Sequence, residues 1–224
     1  MFRHDWWQKG PYYYWWRDVT DLIPDGQGLI ADVGCGTGQQ KAIVESKGYT
    51  WVGLDTERRA PGSIEVSLIE DGRFPLGDSS VDHLLCRQVL EHVSRLELFA
   101  QECRRVLKPG GTMFGSHSWF ECDHDNASYY NLSHDGIRHL LSRHGFDLVR
   151  IEPGIHVGVL LLHHLFDDLV ASRLARLVAA AQMLSDRRRM RQKRPEDAGL
   201  SLPEIQSENA LRLAGHLLWI ARKL

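Results

Sequence analysis

Three features of the sequence predict an α/β fold with a parallel sheet and helices on both faces. Short apolar runs alternate with helical patterns, a glycine-rich turn follows the first run, and the length suits one large domain. The chain has 224 residues, 43% of them hydrophobic and 25% charged. This is the globular range, and a chain of this size buries roughly 70% of its unfolded surface without disulfide or metal staples. The formal charge of −2 excludes a global basic field that would recruit nucleic acid. Cys35, Cys86, Cys103 and Cys122 form no CxxC pair, so they read as reduced thiols and the expected location is cytoplasmic. The start of the chain lacks the apolar core of a signal peptide. No uncharged apolar run reaches the ~18 residues of a membrane span.

The elements follow in order. Residues 1–27 form an aromatic segment, with Trp6, Trp7, Tyr12, Tyr13, Tyr14, Trp15 and Trp16 close together. Tyr12–Ile23 reads as a helix that starts after Pro11 and stops at Pro24-Asp25-Gly26. Strands are predicted at Leu29–Val33, Thr50–Leu54, Ile64–Leu68, Val81–Cys86, Thr112–His117 and Phe146–Glu152. Between them, Gln39–Lys47, Arg95–Leu107 and Asp135–His144 read as helices. Lys108-Pro109-Gly110-Gly111 stops the second of these and Gly145 the third. Gly215–Arg222 suits a final strand.

Residues 153–214 form a long insertion before that strand. Leu162, Leu165, Phe166, Leu169, Val170, Leu174, Leu177, Val178 and Ala181 make one apolar helical stripe, with His163, His164, Asp167, Asp168, Arg173 and Arg176 largely off it. Arg187, Arg188, Arg189, Arg191, Lys193 and Arg194 follow, and Pro195–Pro203 reads as loop. The insertion can serve as a lid, a dimer face or an element lying on a membrane surface; burial of the stripe within the protein is the simplest expectation.

The chemistry concentrates in Asp32-Val33-Gly34-Cys35-Gly36-Thr37-Gly38. Glycines permit a tight turn with positive φ, and bare backbone lets a ligand approach closely. The helix that follows presents free N–H groups and a positive dipole end. The spacing is G-x-G-x-G; Gln39 stands where a dinucleotide fingerprint has its third glycine. Asp55 ends the second strand, where a carboxylate can accept both hydroxyls of a ribose.

Taken with later motifs, the sequence resembles the class I S-adenosylmethionine-dependent methyltransferases, in particular their ubiquinone-methyltransferase-like small-molecule branch. The resemblance covers about residues 28–152 and the last strand. It rests on LIADVGCGTG at 29–38, VGLD at 52–55, EDGRFPLGDSSVDHLLCRQVLEHV at 70–93, RRVLKPGGTM at 104–113, YYNLSHDGIRHLLSRHGF at 129–146 and GHLLWIARK at 215–223. It implies a Rossmann-like, mostly parallel seven-stranded sheet, with the last strand antiparallel beside the sixth. It also implies S-adenosyl-L-methionine as cofactor. Asp32, Gly34, Cys35, Gly36 and Gly38 would line the methionine part, Asp55 and Thr56 the ribose, Asp71 and Gly72 the adenine. Arg87 and Gln88 would border the transferred methyl.

Methyl transfer to a hydroxyl needs a base. His92 and His117 sit at the expected carboxyl edge of the sheet and are the candidate catalytic residues; capping or packing is the alternative for each. Trp119, Tyr129, Tyr130 and Trp15 are candidates for the acceptor pocket, with simple burial as the alternative. Glu121-Cys122-Asp123-His124-Asp125 lacks a recognised ligand spacing, so no metal is expected. The expected function is in-line methyl transfer to a small molecule, most simply O-methylation of a glycan, lipid-linked or natural-product acceptor. RNA methylation through 187–194 and a non-catalytic cofactor-binding protein are the rivals. A homodimer and a peripheral membrane contact stay open.

Overall fold

The computed structural model describes the backbone of residues 18–66, 73–120, 127–165, 168–192 and 211–224. Seven strands form one sheet: β1 (Gly28–Val33), β2 (Tyr49–Asp55), β3 (Ile64–Glu65), β4 (Val81–Arg87), β5 (Leu107–Ser118), β6 (Phe146–His156) and β7 (Ala214–Lys223). Their order is β3-β2-β1-β4-β5-β7-β6. β1 pairs in parallel with β2 and with β4, β2 with β3, and β4 with β5. The last strands are antiparallel, and β7 lies between β5 and β6.

This order follows from the side chains. Along β1 and β4 the alternate residues face opposite layers, as the two-residue period of a strand requires. Ala31, Val33, Leu84 and Cys86 join one apolar layer with helix α2 (Leu96–Val106) and helix α3 (His134–Arg143). Ile30, Leu85 and Phe114 join the other, with Val19, Val44 and Trp51. Strands covered on both faces read as near-continuous apolar runs, which is how Leu29-Ile30-Ala31 of β1 and Leu84-Leu85-Cys86 of β4 read in the sequence. In α2, Leu96, Phe99, Ala100, Cys103 and Val106 are buried; their helical spacing makes one inward stripe. In α3 the Ser133 hydroxyl caps the start by accepting from Gly136 N. Gly115 leaves space that Trp219 fills, since a Cβ there would lie 2.0 Å from the indole.

Several boundaries differ from expectation. β5 begins at Leu107, directly at the end of α2, so it includes the Lys108–Gly111 stretch that was expected to precede a strand starting at Thr112. β6 runs on to His156. Helix α1 is short, Lys41–Ser46, because residues 36–40 are taken up by the turn. Of the helix expected over 12–23, residues 12–17 lie outside the described part, and the remainder is a 3-10 helix, Val19–Leu22, with Asp18 as its N-cap. Asp18 and Asp21 form a reciprocal capping box there.

The chain divides into two compact units. Among the described residues, one comprises 18–151 and 218–224, and the other lies within 152–217. Within the second, helix α4 (Val157–Leu165) and helix α5 (Asp168–Gln192) account for most of the described residues. The helical stripe expected from Leu162 to Ala181, whole or broken in two, is carried by two helices, α4 and α5, and it is not uniformly buried: Leu165, Leu177 and Ala181 are exposed. Among the described residues no helix is long and apolar enough to cross a membrane.

Candidate active site

In the larger unit the chain leaves β1 toward β2 on one side, then returns past β1 to β4 on the other. The loops after β1 and β4 therefore diverge and leave a crevice at the carboxyl ends of these strands. The loop after β1 is wound by positive φ at Gly34 (72°), Gly36 (53°) and Gly38 (76°). Its lower side is crowded: a Cβ at Gly34 would strike Val89 and one at Gly38 would strike Ala60. A Cβ at Gly36 would meet nothing within 4 Å, so the loop turns open space outward there.

Two carboxylates flank this loop. Asp55, at the end of β2, accepts from Gly36 N at 2.6 Å through Oδ2 and from Thr56 N at 2.7 Å through Oδ1. It thus holds the glycine loop to β2 and keeps further lone pairs for a ligand's hydroxyls. Asp32 is 1% exposed and accepts from the Trp51 indole N–H at 3.0 Å. Burial pushes its carboxyl up to about 7, against the opposing pull of the Trp51 bond and the Arg87 charge. The Trp51 ring lies beneath the loop, within reach of the space beside Gly53 and Gly38, with the Lys41 ammonium 5.2 Å from its centre. Cys35 packs below the loop; burial, with Asp32 and Asp55 nearby, raises its thiol to about 12, so it stays neutral.

Arg87 closes the other side of the crevice. Its Nε donates to Asp18 Oδ2 at 2.7 Å, and the guanidinium, with the Thr20 bonds, holds the Asp18 carboxyl below its usual value despite burial. Gln88 follows in a left-handed conformation, φ 52°, a geometry that strains a residue with a Cβ. It is held there by Ser116: Gln88 N donates to the Ser116 carbonyl at 3.0 Å, and Gln88 Nε2 to the Ser116 hydroxyl at 3.0 Å. The Ser118 hydroxyl lies 3.0 Å from both Gln88 Oε1 and Glu91 Oε1. These groups form a buried, neutral-to-acidic lattice across the ends of β4 and β5.

The two candidate bases have different surroundings. His117 is 1% exposed. Its Nδ1 accepts from Trp219 Nε1 at 3.0 Å and its Nε2 donates to the Leu132 carbonyl at 3.0 Å. An indole only donates and a carbonyl only accepts, so the tautomer is fixed and both ring nitrogens are occupied. Half-buried His92 directs Nδ1 to the Ala127 carbonyl at 2.6 Å; Nδ1 must carry the hydrogen, and Nε2 is the basic nitrogen. Residues 127–130 are strapped over this point by two more bonds, Tyr129 N to Glu91 O (2.7 Å) and the Tyr130 hydroxyl to Ser94 O (3.0 Å).

Aromatic rings border the same edge. Trp119 and Phe120 stack at 5.0 Å and 22°, Trp119 leans on His134, and Tyr129 is 48% exposed. Trp15, Asp71, Gly72 and the 121–125 cluster lie outside the described residues. Four contributors were missed in the sequence. Trp51 has no local signal, since its partner Asp32 lies on the neighbouring strand. Ser116 and Ser118 read only as strand residues. Asp18 fell inside the helix expected over 12–23; its spacing to Asp21 could have marked it as a cap, but nothing local pairs it with Arg87.

Residues 31–115 match the model of a family described as a methyltransferase domain. A ubiquinone biosynthesis O-methyltransferase of Agrobacterium fabrum is 31% identical over 98 residues, 39% of this chain and 39% of that protein. A sterol 24-C-methyltransferase of Gibberella zeae is 29% identical over 166 residues, 64% of this chain and 42% of that protein. The chain thus spans about two-fifths of the length of these curated relatives. Among solved structures, an S-adenosylmethionine-dependent methyltransferase from Mesorhizobium loti has a TM-score of 0.58 at 17% identity, covering 92% of this chain and 95% of that one. The [4+2]-cyclase SpnF has a TM-score of 0.56 at 21% identity, covering 92% and 79%. These two likenesses concern the fold, and the second is named for a cyclisation, so fold by itself does not select the reaction.

Proposed function

Because the chain carries a class I S-adenosylmethionine-dependent methyltransferase domain, we propose that it methylates an oxygen of a small-molecule acceptor. The observation that carries this reading is the open glycine loop between two strand-end carboxylates, next to a half-buried histidine of fixed tautomer. The residues fit S-adenosylmethionine. Gly36 faces open space, Asp55 keeps lone pairs for ribose hydroxyls, and Asp32 offers a carboxylate to a cationic ligand. Asp32, Gly34, Gly36 and Gly38 would hold its methionine part, and Asp55 with Thr56 its ribose.

The cofactor, when bound, supplies a methyl group activated by a sulfonium. What the chain adds is position, dryness and a base. Gln88, locked by Ser116, fixes the wall between the two ligand sides at the cost of a strained backbone. His92 Nε2 takes the proton of the acceptor hydroxyl as the oxygen attacks. His117 is a structural residue in this scheme, which narrows the two candidate bases to one. The exposed rings of Phe120 and Tyr129, with half-buried Trp119 stacked on Phe120, suit an acceptor with a flat or apolar body. The 31% likeness to a ubiquinone O-methyltransferase supports a phenolic oxygen over a sugar or an RNA base.

Calorimetry with S-adenosylmethionine, followed by an acceptor screen with labelled methyl read by mass spectrometry, tests this. The expected result is micromolar binding and label on phenolic acceptors. No binding, or binding without transfer to any hydroxyl acceptor, refutes it. Label on RNA alone moves the reading to the nucleic-acid rival.

A further inference from the structure

We propose that the outer face of α5 docks on an anionic lipid surface. The helix has two distinct sides. Ala175, Val178, Gln182, Asp186 and Arg189 recur at spacings of three and four, and each is buried or half-buried. This is the inner side: a Cβ at Gly158, at the start of α4, would come within 3.1 Å of Val178, and Gln182 donates to Asp186 at 2.8 Å. The opposite side carries Leu177, Leu184, Arg187, Arg188 and Arg191, all exposed. Leu177, Leu184, Arg188 and Arg191 are separated by seven, four and three residues, so they share one face.

Leu177 is 66% and Leu184 65% exposed, two turns apart on a helix that is long enough to bury them and does not. Leu161 and Leu165 of α4 are exposed as well, one turn apart. Among the described side chains of α5 the only carboxylate, Asp186, is fully buried on the inner side. Among the described side chains, the outer side therefore combines apolar tips with cations and no carboxylate. That pairing matches a lipid interface, where leucines enter the acyl boundary and arginines meet anionic head groups. A second copy of the same face brings no carboxylate to the arginines, and RNA gives the leucines nothing to bury against. The helix would lie along the interface, since none among the described residues can cross a membrane.

Co-sedimentation of the full chain with vesicles tests this without cofactor or acceptor, so it stands or falls separately from the methyl-transfer reading. Vesicles of phosphatidylcholine with phosphatidylglycerol should pellet the protein at low salt; pure phosphatidylcholine should not. Leu177→Gln/Leu184→Gln should weaken binding about tenfold. Arg187→Gln, Arg188→Gln and Arg191→Gln should each weaken it about fivefold and reduce its salt dependence. All these positions are exposed, and unchanged circular dichroism and melting confirm intact folding. No pelleting at low salt overturns the proposal, as does binding indifferent to the leucines. A soluble dimer that the leucine variant converts to monomer, without vesicle binding, also overturns it and gives the face to a second copy.

Discussion

The two sides of the crevice are built on opposite plans. The side formed by β1 and β2 is one contiguous turn held by charges: Asp55 grips the loop through Gly36, and Asp32 is buried against Trp51. The side formed by β4 and β5 is assembled from separate segments. Gln88 leans on Ser116, Ser118 on Glu91, His92 on Ala127 and Trp219 on His117. A site built on one turn suits a ligand whose chemistry is fixed, and a composite one suits an acceptor that differs between relatives. The two histidines differ as well: His117 is buried with its ring nitrogens bonded to Trp219 and Leu132 in the core, whereas His92 is half-buried at the Ala127 strap.

That last contrast gives the largest expected effect. His92→Gln keeps a donor for the Ala127 carbonyl and removes the base, so kcat should fall about 10²–10⁴-fold with little change in melting temperature. His117→Phe should do the reverse. It leaves Trp219 Nε1 and the Leu132 carbonyl unpaired in the core, at about 1–3 kcal/mol each, so melting drops by several degrees while remaining folded enzyme keeps its kcat. Paired kinetics and thermal melts decide, and a histidine pair that behaves alike would dissolve the distinction.

On the donor side, Asp55→Ala should lower S-adenosylmethionine affinity about a hundredfold in calorimetry. It removes charge-assisted bonds worth about 1.5–3 kcal/mol each and frees the Gly36 loop. Acceptor binding, measured separately, should hardly move. Equal losses on both sides would mean that the two plans are not independent.

Asp32 sets the next effect. Its folded-state carboxyl titrates at about 7, above the ordinary 3.8. Between these values the unfolded chain has already lost a proton that the folded chain keeps. Stability from this group therefore declines as pH rises from about 4 to 7 and levels off above. Asp32→Asn removes that decline. The variant should match the parent near pH 4 in denaturant titrations and exceed it by a few kcal/mol at pH 8, while losing cofactor affinity. A constant difference across pH would refute the burial argument. A cationic ligand favours the ionised form, so the parent should bind S-adenosylmethionine more tightly above pH 7 than below it.

What the sequence disclosed follows the same division. The Asp32–Gly38 turn and Asp55 were legible because their chemistry is local: glycines at set spacings, each carboxylate ending a strand. The sheet was legible because its strands carry short apolar runs, such as Leu29-Ile30-Ala31 and Leu84-Leu85-Cys86, that alternate with helical patterns. The surroundings of His117 were not legible, because a histidine at a strand end looks the same whether or not an indole from β7, 102 positions away, bonds to it. The stripe from Leu162 to Ala181 misled for a related reason. Helical spacing reports which residues share a face; whether that face turns inward depends on partners such as Gly158 and Val178, which periodicity does not reveal.

The smallest expected effect probes the acceptor rings themselves. Tyr129 is placed by its backbone N–H on the Glu91 carbonyl, so its ring can be changed without releasing the strap. Tyr129→Ala should raise KM for an aromatic acceptor about threefold to tenfold, the value of one ring contact at about 0.5–1.5 kcal/mol, with kcat and cofactor affinity unchanged. Tyr129→Phe should restore the parent KM if stacking is the contribution. If the phenylalanine variant stays impaired, the hydroxyl is the recognising group, and the favoured acceptor shifts from a flat ring toward a polar body. Tyr130→Phe differs in kind: it removes the bond to the Ser94 carbonyl, loosens the strap that His92 also holds, and should lower kcat more than it raises KM.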